Sequence, residues 1–200
     1  MAPDPAATTT PGEDTELMRR VQRGDESAFG VLLQRWERPV KSVIARLVFN
    51  SREAGDLAQE TFVRVWQQRE KFRPDAEFRP WVFSIALNLA RNRLRWWRRR
   101  PNVSLEEWNE KEGAAEVGGG KREMGGSRAL ERAERAAAVR AAVAALPVDL
   151  REALVLFEYE NLSHAEIAAA LGGTPKAVES RIYRAREKLR HALSALSDFT

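Results

Sequence analysis

Apolar residues recur at three- and four-residue intervals through most of this chain, the spacing of one face of an α-helix. Leu17, Val21, Phe29, Leu32, Leu33 and Trp36 mark the first helices, with Asp25 as an N-cap between them. A helix continues from Val40 to Phe49 after Pro39, and another spans Asp56 to Glu70 with Leu57, Phe62, Val65 and Trp66 as its large apolar members. Two prolines between Phe72 and Pro80 interrupt the pattern. Trp81 to Arg100 then runs long, apolar first and strongly basic last. After a gap, an alanine-rich helix covers Arg128 to Ala145 and stops at Pro147, and a further one covers Leu150 to Tyr159. Nothing alternates with the period of a strand. The expected fold class is all-α: two small helical domains, 14–100 and 128–197, joined by a flexible linker, 101–127, after a disordered tail, 1–13.

The second domain ends in the most specific local pattern, Ser163 to Arg190. Ser163 and Glu166 form a capping box, which starts a helix whose apolar face is Ile167, Ala170 and Leu171. Gly172 and Gly173 give the backbone freedom for a turn. Thr174 then caps a second helix with Pro175 in its first position, where the missing N–H costs nothing. Val178, Ile182, Ala185 and Leu189 fall on one face of it; Lys176, Ser180, Arg181, Tyr183, Arg184 and Lys188 fall elsewhere. Two capped helices around a Gly-Gly turn, the second basic, predict a helix-turn-helix whose second helix enters the major groove of DNA. A merely solvated charged face would not bring cap, turn and basic stripe together.

Charge sharpens this picture more by its placement than by its sum. The net charge is only +4, but Arg91–Arg100 holds six arginines in ten residues, and Lys176–Arg190 holds six basic residues against two acidic ones. Such blocks on helices point to a polyanionic partner. The linker instead carries six acidic residues against three basic, and its Gly118-Gly119-Gly120 and Gly125-Gly126 runs oppose helix formation. The absence of cysteine excludes disulfides and thiolate metal sites, and His164 and His191 are far apart, so no metal and no cofactor is expected. No clustered carboxylates or activated nucleophile suggest an enzyme. No apolar run reaches the ~20 residues that span a bilayer, and no secretory signal opens the chain, so a cytoplasmic protein without membrane insertion is expected.

In the first domain, aromatic, basic and amide residues interleave around the proline-containing loop. Phe72, Phe78, Trp81 and Phe83 can pack a core, or stack on unpaired bases for ~1–3 kcal/mol per base. Core packing suits Trp81 and Phe83 better. Asn88 and Asn92 share a helix face and offer the donor-acceptor pairs that base edges require. The arginines after position 90 suit phosphate contacts.

Three segments together resemble a known family. Asp56-Leu-Ala-Gln-Glu-Thr-Phe-Val-Arg-Val-Trp is similar to region 2.2, Phe78-Arg-Pro-Trp-Val-Phe-Ser-Ile-Ala-Leu-Asn-Leu-Ala-Arg-Asn to regions 2.3 and 2.4, and Ser163 to Arg190 to region 4.2 of extracytoplasmic-function (ECF, group IV) sigma factors of the sigma-70 family. These are the dissociable promoter-recognition subunits of bacterial RNA polymerase. The resemblance implies a core-polymerase contact, at the β′ clamp, through Asp56, Gln59, Glu60, Phe62 and Trp66, with a further contact at the β flap. It implies −10 element binding and melting through Phe72, Arg73, Asp75, Phe78, Trp81, Asn88, Arg91, Asn92 and Arg95, the loop from Phe72 to Phe78 forming the rim of a base pocket. It implies −35 reading through Thr174, Lys176, Glu179, Ser180, Arg181, Tyr183 and Arg184. Glu179 stands where some relatives carry a basic residue; it can accept from cytosine N4 or pair with a neighbouring arginine. An anti-sigma factor is the implied regulatory partner.

No phosphate-loop motif supplies ATP chemistry, so melting must draw on binding energy. The 27 residues of the linker can span up to ~90 Å at ~3.3 Å each, enough for two DNA elements ~70 Å apart, two helical turns. The alternative is a stand-alone helix-turn-helix regulator that works without polymerase. Domain 14–100 argues against it, because that domain has no evident use as a ligand sensor or dimerisation unit.

Overall fold

The computed structural model describes residues 12–73, 75–100 and 126–197. The expected tail, apart from Gly12 and Glu13, and most of the expected linker lie outside the described residues. Among those described, every regular element is helical: α1 (Glu13–Gln22), α2 (Glu26–Val48), α3 (Ser51–Gln67), a 3-10 turn (Arg69–Lys71), α4 (Phe78–Arg98), α5 (Gly126–Ala145), α6 (Val148–Glu158), α7 (His164–Leu171) and α8 (Pro175–Ser197).

Local chemistry sets most of the boundaries. Asp25 caps α2 by accepting from the Ala28 N–H at 3.0 Å. Pro39 lies inside α2 and does not end it; the helix runs through to Val48 with Pro39 buried on its core face. The third helix begins five residues before the expected Asp56, because the Asn50 side chain accepts from the Glu53 N–H at 2.8 Å and caps it there. α4 likewise starts at Phe78, three residues earlier than expected, with Pro80 in its first turn. α5 begins at Gly126, inside the stretch expected to be linker.

Helices α1 to α4 wrap a core of Met18, Leu32, Trp36, Ile44, Leu57, Phe62, Phe72, Phe78, Phe83 and Leu87, all nearly or fully buried. Trp36 is its hub. Its ring meets Phe78 at 6.0 Å and Phe83 at 5.9 Å, both edge to face. Its indole Nε1–H donates to Asp14 Oδ2 at 2.9 Å, while Arg35 donates to Asp14 Oδ1 at 2.5 Å. Asp14, 7% exposed, is thus a buried carboxylate with both oxygens hydrogen-bonded.

In the second domain α8 buries Val178, Ile182 and Ala185, with Leu189 packed beside them, as its periodicity predicts. The turn before α8 is built as expected. Gly172 and Gly173 adopt φ of 75° and 123°, and the Ser163–Glu166 capping box is complete. Replacing Ser163 with alanine should cost about 1 kcal/mol, the usual worth of such a cap, and should show in amide exchange as faster opening of α7 than of α2.

The two domains are docked. Ala153, Val155, Leu156, Leu162, Ile167, Val178 and Ile182 of the second share one contiguous apolar cluster with the core of the first. α6 lies against α2, and α7 against α4. Arg151 pins the seam: buried, it donates to the carbonyl of Leu47 at 2.7 Å, and to those of Ala144 (2.7 Å) and Leu146 (3.0 Å). Leu47 belongs to the last turn of α2 and Ala144 to that of α5, with Leu146 just beyond it, so one guanidinium satisfies carbonyls at two helix C-termini. Burial lowers the pKa of this guanidinium from its ordinary value, with Glu152 opposing the shift.

Candidate nucleic-acid and polymerase interfaces

Helix α8 offers its basic face to solvent. Thr174, Lys176, Glu179, Ser180, Tyr183 and Arg184 are exposed, and Arg181 is half-buried. Tyr183 is 66% exposed, its ring standing on the same side of the helix as Ser180 and Arg184. The Thr174 hydroxyl accepts from the Ala177 N–H at 3.2 Å, so Thr174 is occupied as the helix cap. Glu179 pairs with Lys176 at 2.9 Å, a lysine and not the arginine anticipated. That hydrogen bond, with the lysine charge behind it, holds the Glu179 carboxyl below its ordinary pKa.

Helix α3 shows a second open face. Asp56 and Gln59 are exposed, and Glu60 is half-buried and bonded to Arg64 at 2.7 Å. Phe62 is instead a core residue, 3% exposed, because its ring packs toward Phe29 at 6.5 Å; its expected surface role is not open to it in this structure. Trp66 is half-buried between Phe29 at 5.2 Å and the Arg69 guanidinium at 4.6 Å. Val63, 53% exposed, stands one turn on from Gln59 and puts an apolar side chain on this open face, which the sequence reading did not single out. Its signal was an apolar residue out of phase with the buried stripe.

The loop between α3 and α4 departs most from expectation. Phe72 and Phe78 are 2% and 1% exposed and pack, tilted or edge-on, against each other and half-buried Trp81. They hold the loop from beneath and do not form an open rim, because a domain this small needs its large rings inside. What remains outside is Arg73, paired with Asp75 at 2.9 Å, together with Asn88, Asn92 and Arg95 on α4. Hydrogen bonds from Arg73 and from the Asp75 backbone hold the Asp75 carboxyl below its ordinary pKa. The loop is tied to α1 by Gln22, whose Nε2 donates to the carbonyls of Arg69 (3.0 Å) and Phe72 (2.8 Å). Arg91 lies across the domain seam: Nε and Nη2 donate to Glu152 Oε1 and Oε2 at 2.7 and 2.8 Å, and Nη1 donates to Asn88 Oδ1 at 3.1 Å. Burial pushes the Glu152 carboxyl above its ordinary pKa, and Arg91 offsets part of that shift.

Among the described residues no cluster of acidic, histidine or cysteine side chains fits a metal ion, and no helix is long and apolar enough to cross a membrane.

Comparison with known proteins agrees with this layout. Residues 32–100 match the model of sigma-70 region 2, and residues 136–189 that of sigma-70 region 4. The chain is 38% identical over 190 residues to the RNA polymerase sigma-H factor of Pseudomonas aeruginosa, covering 94% of this chain and 97% of that protein. It is 36% identical over 184 residues to the ECF RNA polymerase sigma-E factor of Escherichia coli, covering 92% and 95%. Among solved structures it resembles CnrH in complex with the cytosolic domain of CnrY, at 29% identity, TM-score 0.65 and coverage of 91% and 97%. It shares its fold with the sigma factor RpoE of Bartonella quintana, solved with the anti-sigma factor NepR, at 22% identity, TM-score 0.60 and coverage of 83% and 96%.

Proposed function

The chain belongs to the ECF sigma factors of the sigma-70 family, RNA polymerase subunits that direct promoter-specific initiation, and from that premise we propose how its parts divide the work. Domain 14–100 grips the β′ clamp of core polymerase through α3 and melts the −10 element. Domain 128–197 reads the −35 element as duplex and meets the β flap. The exposed face of α8, with Ser180, Tyr183 and Arg184 open above a buried Val178-Ile182-Ala185 stripe, carries the reading. The protein has no catalysis of its own and works in the cytoplasm, on the polymerase it directs.

At the polymerase, Asp56, Gln59 and Glu60 supply charge and polarity, and Val63 the apolar contact; Trp66 stiffens the helix from its half-buried position. At the −10 element, a base leaves the stack at a cost of a few kcal/mol, which contacts to the displaced strand must offset. Arg73, Asp75 and the outer edge of Trp81 line the way in, Asn88 and Asn92 face base edges, and Arg91 and Arg95 take phosphates. Phe72 and Phe78 act from below by fixing the loop. An anti-sigma factor is the regulatory partner; CnrH, solved in complex with the cytosolic domain of CnrY, supports the existence of a protein partner.

Run-off transcription tests the reading. Core polymerase with the protein should start at defined positions on templates selected from a random-sequence promoter library. Starts no different from those of core alone would refute it, and tight, specific duplex binding without polymerase would favour a stand-alone regulator. Gln22→Ala gives a finer check. With two loop carbonyls released, permanganate reactivity of the −10 thymines should fall several-fold, while binding of −35 duplex stays unchanged.

A further inference from the structure

Three guanidiniums gather around one cleft with no carboxylate to hold them. The cleft lies where α4, α6, α7 and α8 meet and encloses about 670 Å³. Arg95 and Arg98 stand one turn apart on α4 along its wall, and Arg181 reaches it from α8. Among the described residues none of the three makes an ion pair. Arg91 beside them differs, because Glu152 takes it with two bonds, at 2.7 and 2.8 Å. Asp149 is the remaining carboxylate of the lining and offsets one of the three free arginines, so the cleft keeps a surplus of two positive charges. A concave wall with charge of one sign in excess focuses its field on what enters.

The helix behind the cleft adds to that field. Pro147 is the N-cap of α6, and no side chain caps that end. Pro147 and Val148 line the cleft, so the positive end of the α6 dipole lies at its wall. The remaining wall is apolar: Leu94, Val148 and Leu171 are half-buried there, with part of each side chain uncovered. Guanidiniums from two separate helices suit a chain of phosphates better than a single phosphate. The volume falls within the ~300–1,000 Å³ of small-molecule sites and leaves room for a ring system beside the phosphates.

We propose that this cleft binds a nucleoside polyphosphate: Arg95, Arg98 and Arg181 hold the phosphates, and Leu94, Val148 and Leu171 receive the base. The ligand is a small soluble molecule and not DNA, so the inference goes beyond promoter recognition. Asp149 works against the phosphates from within the same lining. Removing its charge must therefore strengthen binding, a gain that a purely structural role would not give.

The test titrates the full chain, without DNA or polymerase, into N-methylanthraniloyl GTP at low salt and follows fluorescence anisotropy. Binding should saturate at one nucleotide per chain. Arg98→Ala with Arg181→Ala should weaken it at least about tenfold, the worth of one or more hydrogen bonds to a charged group. Asp149→Asn should tighten it by about two- to fivefold, the scale of one partly exposed charge interaction. Arg38→Ala with Arg52→Ala removes the same two charges from exposed positions on α2 and α3 and should leave it unchanged. Unlabelled GTP should displace the probe about tenfold better than inorganic tripolyphosphate, because burying the base adds to the contacts of the phosphates. Absence of saturable binding below about 1 mM overturns the proposal. So does equal weakening in the two double variants, which would mean attraction to net charge alone, and so does a D149N protein that binds no more tightly. Tripolyphosphate that competes as well as GTP overturns the assignment of a nucleoside. Run-off transcription by the wild-type protein does not depend on this binding, so loss of the ligand site leaves the sigma function standing.

Discussion

Trp36→Ala is expected to destabilise the protein by ~3–5 kcal/mol, the range for deleting a large aromatic from a packed core. Whole domains are stable by only about 5–15 kcal/mol, so the loss approaches what holds the fold together. Three separate consequences push it to the upper end. The ring leaves a cavity between Phe78 and Phe83, which cannot close it without moving α4. The indole N–H that Asp14 accepts disappears, leaving a buried carboxylate oxygen without its partner. Phe78, which supports the loop before α4, loses one of its three aromatic neighbours among the described residues. Thermal melting should show a drop of roughly 6–20 °C at ~2–4 °C per kcal/mol for a chain of this size. Trp36→Phe separates the contributions: it keeps most of the ring and should cost only the lost hydrogen bond, ~1–3 kcal/mol. Equal melting of the two variants would show that the Asp14 bond, and not packing, makes Trp36 the hub.

What could be read from the sequence was local. Ser163, Glu166, Gly172, Thr174 and Pro175 act within a few residues of themselves, so the helix-turn-helix was visible before any coordinates, down to its buried stripe. The same reasoning placed Asp25 as a cap. It missed Asn50, an equally good cap, because Ser51 to Gly55 lacks the large apolar residues that would have extended the periodic pattern back to it. Burial of aromatics was the weakest inference. Phe72 and Phe78 sit between charged neighbours whether they face in or out, and Phe62 belongs to an apolar stripe that could equally meet a partner; only the packing of four helices decides. Contacts between distant segments left no local trace at all. Arg151 meets Leu47 across 104 positions and Arg91 meets Glu152 across 61, and each reads in isolation as one more surface charge. Docking of the domains, which depends on these pairs, was accordingly open until the structure showed it.

Arg184→Ala is expected to lower initiation from a promoter that depends on its −35 element roughly tenfold to a hundredfold, the ~1–3 kcal/mol by which one good base contact discriminates. Arg184 suits that role because no other side chain among the described residues holds it. It is exposed, and among the described residues its guanidinium makes a single long bond, 3.4 Å to the Ser180 carbonyl one turn back, easily exchanged for a base edge. Its loss should leave the fold intact, since Val178, Ile182 and Ala185, not Arg184, seat α8. Lys176→Ala is the informative contrast. Lys176 sits at the start of α8, paired with Glu179, and a lysine there acts on the backbone as a point charge. Its removal should weaken binding to all sequences alike and reduce the salt dependence by about one phosphate, with no change in preference. Re-selecting templates from a random −35 library with each holoenzyme reads the difference: R184A should relax the choice at one base position, and K176A should return the wild-type sequence at lower yield. If R184A also returned the wild-type sequence unchanged, Arg184 would be a backbone contact, and the reading of the groove would fall to Ser180, Tyr183 and Glu179.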